Sequence, residues 1–216
     1  FSTETNALNV AVGFSAGATI TSGANNTLIG GSAGGAINTG DQNAIIGTNA
    51  GDALTTGSYN TAIGFSALTT EDAHGYNTAM GYRALHNLDA GANGLNVAVG
   101  SDAGLLVTTG TSNVLIGTNA GDGFTTGIDN VAVGASALSA ANAGNRSVAI
   151  GKQALNAQNA GSAGQNMYNV AVGYVAGASV TTGVQNTIIG GLAGDALAAG
   201  SYNQAFGYNA LGAETG

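Results

Sequence analysis

A glycine returns along this chain at positions 13, 30, 47, 64, 81, 100, 117, 134, 151, 173, 190 and 207, and nine of the eleven intervals are 17 residues. The other two are 19 and 22 residues. Three residues after each of these landmark glycines stands an alanine, and four before it an asparagine, except where Ser147 takes its place. Residues 112–128, SNVLIGTNAGDGFTTGI, show one complete unit. A fixed period of this length is the mark of stacked coils that each contact mainly their neighbours. The chain therefore reads as all-β, a parallel β-roll or β-solenoid of about twelve coils. Residues 1–8 form a short lead-in, and 9–216 one continuous solenoid in three blocks, 9–94, 95–168 and 169–216. Both ends fall close to the repeat pattern, so the chain reads as an excerpt of something longer.

Thirty-eight glycines with no proline would suit disorder if branched aliphatic residues were scarce. They are not: nearly every unit carries Val, Ile or Leu among the three residues before the landmark glycine. Lack of proline fits a backbone whose amides are needed in ladders between coils. With three basic residues (Arg83, Arg146, Lys152) and a formal charge of −8, the chain is poorly equipped to neutralise phosphates. Nucleic-acid partners are thereby excluded, and anionic membranes disfavoured. No apolar run is long enough to cross a bilayer, so no membrane insertion is expected in this segment. Absence of cysteine removes disulfides and thiolate chemistry.

Each unit splits into two short segments, read here as two strands joined by tight turns. The first ends at the landmark glycine and is rich in β-branched residues, as in Val97–Val99 and Val131–Val133. Its last residue is always bulky, as in Ile29, Ile116 and Val133, and the residue before that is mostly alanine, as in Ala62, Ala98 and Ala132. Because alternate residues face opposite sides, both faces are apolar and both should be covered, one by the coil's own interior and one by another chain. The alanine row is assigned to the contact between chains.

In the second segment, glycine after the fixed alanine goes with a large residue three positions on, at Ile20, Ile37, Leu54, Val107, Phe124, Val180 and Leu197. Leucine there (Leu68, Leu138, Leu155) goes with Glu71, Ala141 or Gln158. One large side chain per coil, supplied from either place, would conserve interior volume. Leu85 with Leu88 breaks that rule, leaving open which of the two faces out. Asparagines such as Asn26, Asn43, Asn60 and Asn77 should stack into a hydrogen-bonded corner ladder.

Ser147–Gly151, SVAIG, with its variants NVAVG (9–13, 96–100, 169–173) and NTAIG (60–64), resembles the head repeat of trimeric autotransporter adhesins of the YadA-like type. Residues 55–68, TTGSYNTAIGFSAL, resemble repeats in phage tail-fibre proteins. The resemblance implies a left-handed β-roll and a trimeric homo-oligomer in an extracellular fibre, on a bacterial surface or a virion, that attaches to a cell. Its left hand rests on the resemblance alone.

Little in the sequence points to catalysis. His74 and His86 are expected to be exposed loop residues, and Lys152 lacks the glycine that a phosphate loop requires upstream. Asp52, Asp122 and Asp195 follow Ala-Gly in comparable coils but stand apart from one another, which predicts isolated turn residues. Glu71 and Asp72 are adjacent, so on a strand they would diverge. Paired threonines such as Thr55 and Thr56 would face opposite ways and make no flat ice-binding array. No catalytic, cofactor-binding or metal-binding residue is assigned. The candidate contacts are aromatic: Tyr59, Tyr76, Tyr168 and Tyr202 before the corner asparagine, and Phe14, Phe65, Tyr82, Tyr174 and Tyr208 after the landmark glycine. Such rings could stack on the sugars of a cell-surface glycan or meet a protein receptor, or simply stabilise neighbouring coils.

Overall fold

The computed structural model describes residues 7–140, 144–162 and 164–212. Short strands, one per coil, make a single parallel sheet ordered as in the chain, from β1 (Val10–Val12) and β2 (Thr27–Ile29) to β12 (Gln204–Phe206). Equivalent residues pair in every rung: Val114 with Val131, and Ile116 with Val133, between β7 (Val114–Ile116) and β8 (Val131–Val133). The longest connection leaves this register intact, since Val148 of β9 (Val148–Ile150) still meets Val170 of β10 (Val170–Val172). The long connection itself bonds to the preceding coil, Asn145 N–H donating to the Gln165 carbonyl at 2.9 Å, and the repeat is a parallel β-solenoid throughout the described chain.

Inside and outside are the reverse of the assignment made from sequence. Ala62, Ala98, Ala132 and Ala149 are completely buried within the single chain, while the bulky row beside them stays partly open, with Ile116 at 39% and Ile150 at 40% exposure. The physical reason is the thinness of the coil. Its inward strand residue faces the fixed alanine row (Ala67, Ala120, Ala137), also fully buried, so little volume remains for it. Where that residue is large, as at Leu28, Ile45, Leu115 and Ile188, the same coil carries glycine after its fixed alanine.

The second segment is not a strand; it is a pair of turns. Ala120 N–H donates to the Gly117 carbonyl at 3.1 Å, and Phe124 N–H to the Gly121 carbonyl at 3.1 Å. Left-handed backbone recurs at alternate positions, Asn119 (φ 57°) and Gly121 (φ 59°). This alternation still aims amides along the stack: Asn119 N–H reaches the Ser101 carbonyl at 3.0 Å, and Gly121 N–H the Ala137 carbonyl at 2.9 Å. The ladder thus continues without a second sheet. Gly117 shows why its own row admits no side chain. Its φ is +132°, and a Cβ would lie 2.7 Å from the carbonyl of Gly134 in the next coil.

Interior volume is conserved between coils rather than within each one. Leu85 and Leu88 are both fully buried, as are Glu71 and Gln158 at positions expected to be surplus; Ala141 lies outside the described residues. Above Gly104, in a coil whose inward strand residue is only Ala98, the space is filled by Leu115 from one neighbour and Leu85 from the other. Gly177 is covered likewise by Ile188 and Leu155. Leu138 and Leu155 occupy the glycine position with φ of 51° and 47°, a conformation that costs a residue with a Cβ roughly 1–2 kcal/mol. Burial of a leucine contributes about 1.5–3 kcal/mol, so packing wins.

The asparagine corner is a ladder as expected. Asn43 donates its backbone N–H and its Nδ2 to Asn26 Oδ1, both at 3.0 Å, and the second Nδ2 hydrogen to the Gly57 carbonyl at 2.9 Å. Its own Oδ1 accepts from the Asn60 N–H at 2.9 Å, so every polar atom of the buried amide is used. At Ser147 the side chain is too short to continue. Gln158 bridges the gap, with Oε1 accepting from Asn169 Nδ2 at 2.8 Å and Nε2 donating to Ser147 Oγ at 3.0 Å.

Candidate functional site

Two outward rows run the length of the sheet, the bulky residues and the Val/Thr residues two positions before them. Both are half-exposed in most rungs. Twelve rungs at about 4.8 Å, two outward residues wide, cover on the order of 400 Å² before any flanking ring is added. A strip that size, unbroken by charge in the sequence of either row, is comparable to the largest apolar patch of an ordinary monomer, and such patches are often functional.

Aromatic residues flank this strip at both corners. Tyr59 and Phe65 bracket β4 (Thr61–Ile63), and Tyr76 and Tyr82 bracket β5 (Thr78–Met80). Tyr168 and Tyr174 bracket β10, and Tyr202 and Tyr208 bracket β12. All eight are exposed. In adjacent coils the rings stack, Tyr59 on Tyr76 at 4.9 Å and Phe65 on Tyr82 at 5.7 Å between centroids. Stacking uses one face of each ring and leaves edges and outer faces to solvent. Both arginines dock at these corners. Arg83 lies 4.8 Å over Tyr82 while its Nε donates to Asp102 at 2.8 Å. Arg146 donates to the Tyr168 hydroxyl at 3.2 Å and pairs with Asp129 at 3.4 Å. The hydrogen bond to Asp102 raises the Arg83 pKa, and that to Tyr168 raises the pKa of Arg146.

Histidines 74 and 86 are not the exposed loop residues expected. His86 is half-buried and its Nδ1 lies 3.2 Å from the Ser66 carbonyl oxygen. His74 is held in part by Glu71, whose Oε1 accepts from its backbone N–H at 3.0 Å and lies 3.1 Å from its Nδ1. Nor do Glu71 and Asp72 diverge on a strand: they sit in the irregular connection between β4 and β5, Glu71 fully buried and Asp72 exposed. Glu71, Asp72, His74 and Asp89 each offer one ligand atom, and these atoms all lie within 4.8 Å of one another. Reading the residues in chain order missed this group because Asp89 belongs to the next coil. A comparison down the columns of the repeat would have exposed it.

Asp52, Asp122 and Asp195 remain in separate coils. Burial pushes the Asp52 and Asp122 carboxyls above the ordinary carboxylate range. Among the described residues, Oδ1 of Asp122 and of Asp195 has no hydrogen-bond partner. No helix among the described residues is long and apolar enough to cross a membrane. Comparisons with family models, with curated proteins and with solved structures return no match.

Proposed function

We propose that this chain is a structural and adhesive segment of an elongated surface or virion fibre, in which copies of the chain pack together, as a trimer, along the exposed strip. The observation that carries the reading is the unbroken apolar row from Val12 to Phe206 on the outer face of a sheet whose inner face is already filled. A partner for it must present apolar residues at the same axial spacing of about 4.8 Å over many rungs. Another copy of the chain does so by construction, and a symmetric assembly repeats one contact per copy. The resemblance of SVAIG and its variants to adhesin heads supports the same arrangement, and with it a left-handed coil and an extracellular setting.

Attachment then falls to the aromatic corners, repeated on every copy, so that weak contacts gain from avidity. Glycan-array binding by the assembled segment tests this. Binding that falls when Tyr76 and Tyr82 are replaced by serine supports adhesion here. Silence at high density favours the second reading, an architectural spacer whose parent recognises its target elsewhere. The stacked tyrosines, which brace neighbouring coils, are the feature that favours that second reading.

A further inference from the structure

From the cluster in the connection between β4 and β5, joined by Asp89 of the next coil, we infer a binding site for a divalent transition-metal ion of the Zn²⁺ type, formed by Glu71, Asp72, His74 and Asp89. The repeat supplies its own control for each position. Seven residues after the landmark glycine, other coils carry Ile20, Ile37, Leu54, Val107 and Phe124; this one carries Glu71. Eight after, the chain otherwise uses Thr21, Asn38, Thr55, Thr108 and Thr125, but two adjacent coils carry Asp72 and Asp89. Ten after, where Gly23, Gly40, Gly57, Gly110 and Gly127 stand, is His74. Four departures from the repeat fall in two neighbouring coils, all four are metal-ligand types, and their donor atoms gather within 4.8 Å.

Bonding within the chain accounts for Glu71 and His74, which hold each other, but not for the two aspartates. Asp72 and Asp89 occupy one column in successive rungs, and like charges in that relation repel. Among the described residues no arginine or lysine pairs with either, since Arg83 and Arg146 are engaged by Asp102 and Asp129. Nor does any backbone hydrogen bond among the described residues join Asp72 to Asp89, although Thr55 N–H bonds the Asp72 carbonyl and Asp89 N–H the Thr108 carbonyl. The ladder opens where the charges meet. A cation between the coils would relieve the repulsion and tie the two rungs together.

Half of the site is fixed and half is free to close. Glu71 is fully buried, and Oε2 accepts from the Ala90 N–H at 3.2 Å, which sets the carboxylate's orientation. His74 Nδ1 and Glu71 Oε1 stand 3.1 Å apart, a separation that suits two ligands sharing one ion with bonds of about 2.0–2.2 Å. Asp72 and Asp89 are exposed and can swing inward. An imidazole among carboxylates favours zinc-like ions over calcium, which takes oxygen ligands alone.

The test is equilibrium dialysis and calorimetry of the untagged chain with ZnCl₂, and in parallel with CaCl₂. One zinc per chain is expected, with a raised melting temperature. Reverting the site to the repeat's own residues (Glu71→Leu, Asp72→Thr, His74→Gly, Asp89→Thr) should abolish both effects in a chain that still folds. Should the fourfold variant misfold, Asp72→Thr and Asp89→Thr alone, both at exposed positions, should weaken zinc binding at least tenfold. The inference is overturned if the native chain binds no stoichiometric zinc at micromolar concentration. It is equally overturned if the reverted chains bind zinc as the native one does, or if calcium is taken in preference.

Discussion

The two faces of the twelve-stranded sheet are built from neighbouring residues of the same strands, yet they are in different states. On the inner face Ala132 and Leu115 have no solvent exposure and meet side chains from their own and adjacent coils. On the outer face Ile116, one residue from Leu115, is 39% exposed and its row has no full cover among the described residues. Size misleads here. In a globular core the large strand residues go in; here the inward strand position is mostly alanine, large residues from the turns such as Phe124 and Leu138 complete the interior, and the bulky strand row is left outside. A thin solenoid therefore satisfies its interior alone and brings its bulk to the surface, where another molecule can use it.

If the inner face is closed and dry, a charge placed there has no remedy. Ala132→Asp should cost more than about 4 kcal/mol and abolish the β-sheet circular dichroism, because the carboxylate would be buried without a partner. Next in size is the inner corner. Asn113→Ala would remove its Nδ2 donations to Asn96 and to the Gly127 carbonyl, and strand the N–H and one Nδ2 hydrogen of Asn130. We expect a loss of about 2–4 kcal/mol in urea unfolding, since buried groups are left unpaired. Gln158→Leu should cost about 2 kcal/mol by reopening the ladder at Ser147, and Ser147→Asn in the same chain should recover most of it.

The smallest effect concerns a half-buried carboxyl that belongs to neither face. Desolvation raises the Asp122 pKa in the folded chain, so its contribution favours folding below the unfolded carboxylate pKa. That contribution is lost as pH rises through the folded value. Asp122→Asn should therefore stabilise the chain at pH 7 by roughly a few tenths of a kcal/mol, discounted for solvent screening, with no gain near pH 3. Melting curves at the two pH values measure the difference.

How far the sequence could be read follows from the same geometry. Period, strand position, landmark glycines and the asparagine corner were legible because each is local and repeats in phase. The inward alanine row was not, since alternation tells which residues share a face but not which face is the narrow one. The second strand was misread because alternate left-handed residues such as Asn119 and Leu138 carry no mark in their identity. Glu71 and Gln158 look alike as polar intruders in an aliphatic column. Only their neighbours separate them: Gln158 mends a broken ladder, whereas Glu71 faces His74 and two further carboxylates. The aromatic candidates were identified by position, and the structure sets them beside the outward strip without assigning them a ligand.

Sedimentation equilibrium of the chain, alongside Ile116→Asp and Ile150→Asp, tests most directly whether further copies cover the outer face. The account predicts a trimer of the 20.6 kDa chain that the two aspartates reduce to monomers, with the circular dichroism of the coil preserved and a stability change of only about 1 kcal/mol. A native chain that stays monomeric at tens of micromolar would contradict it.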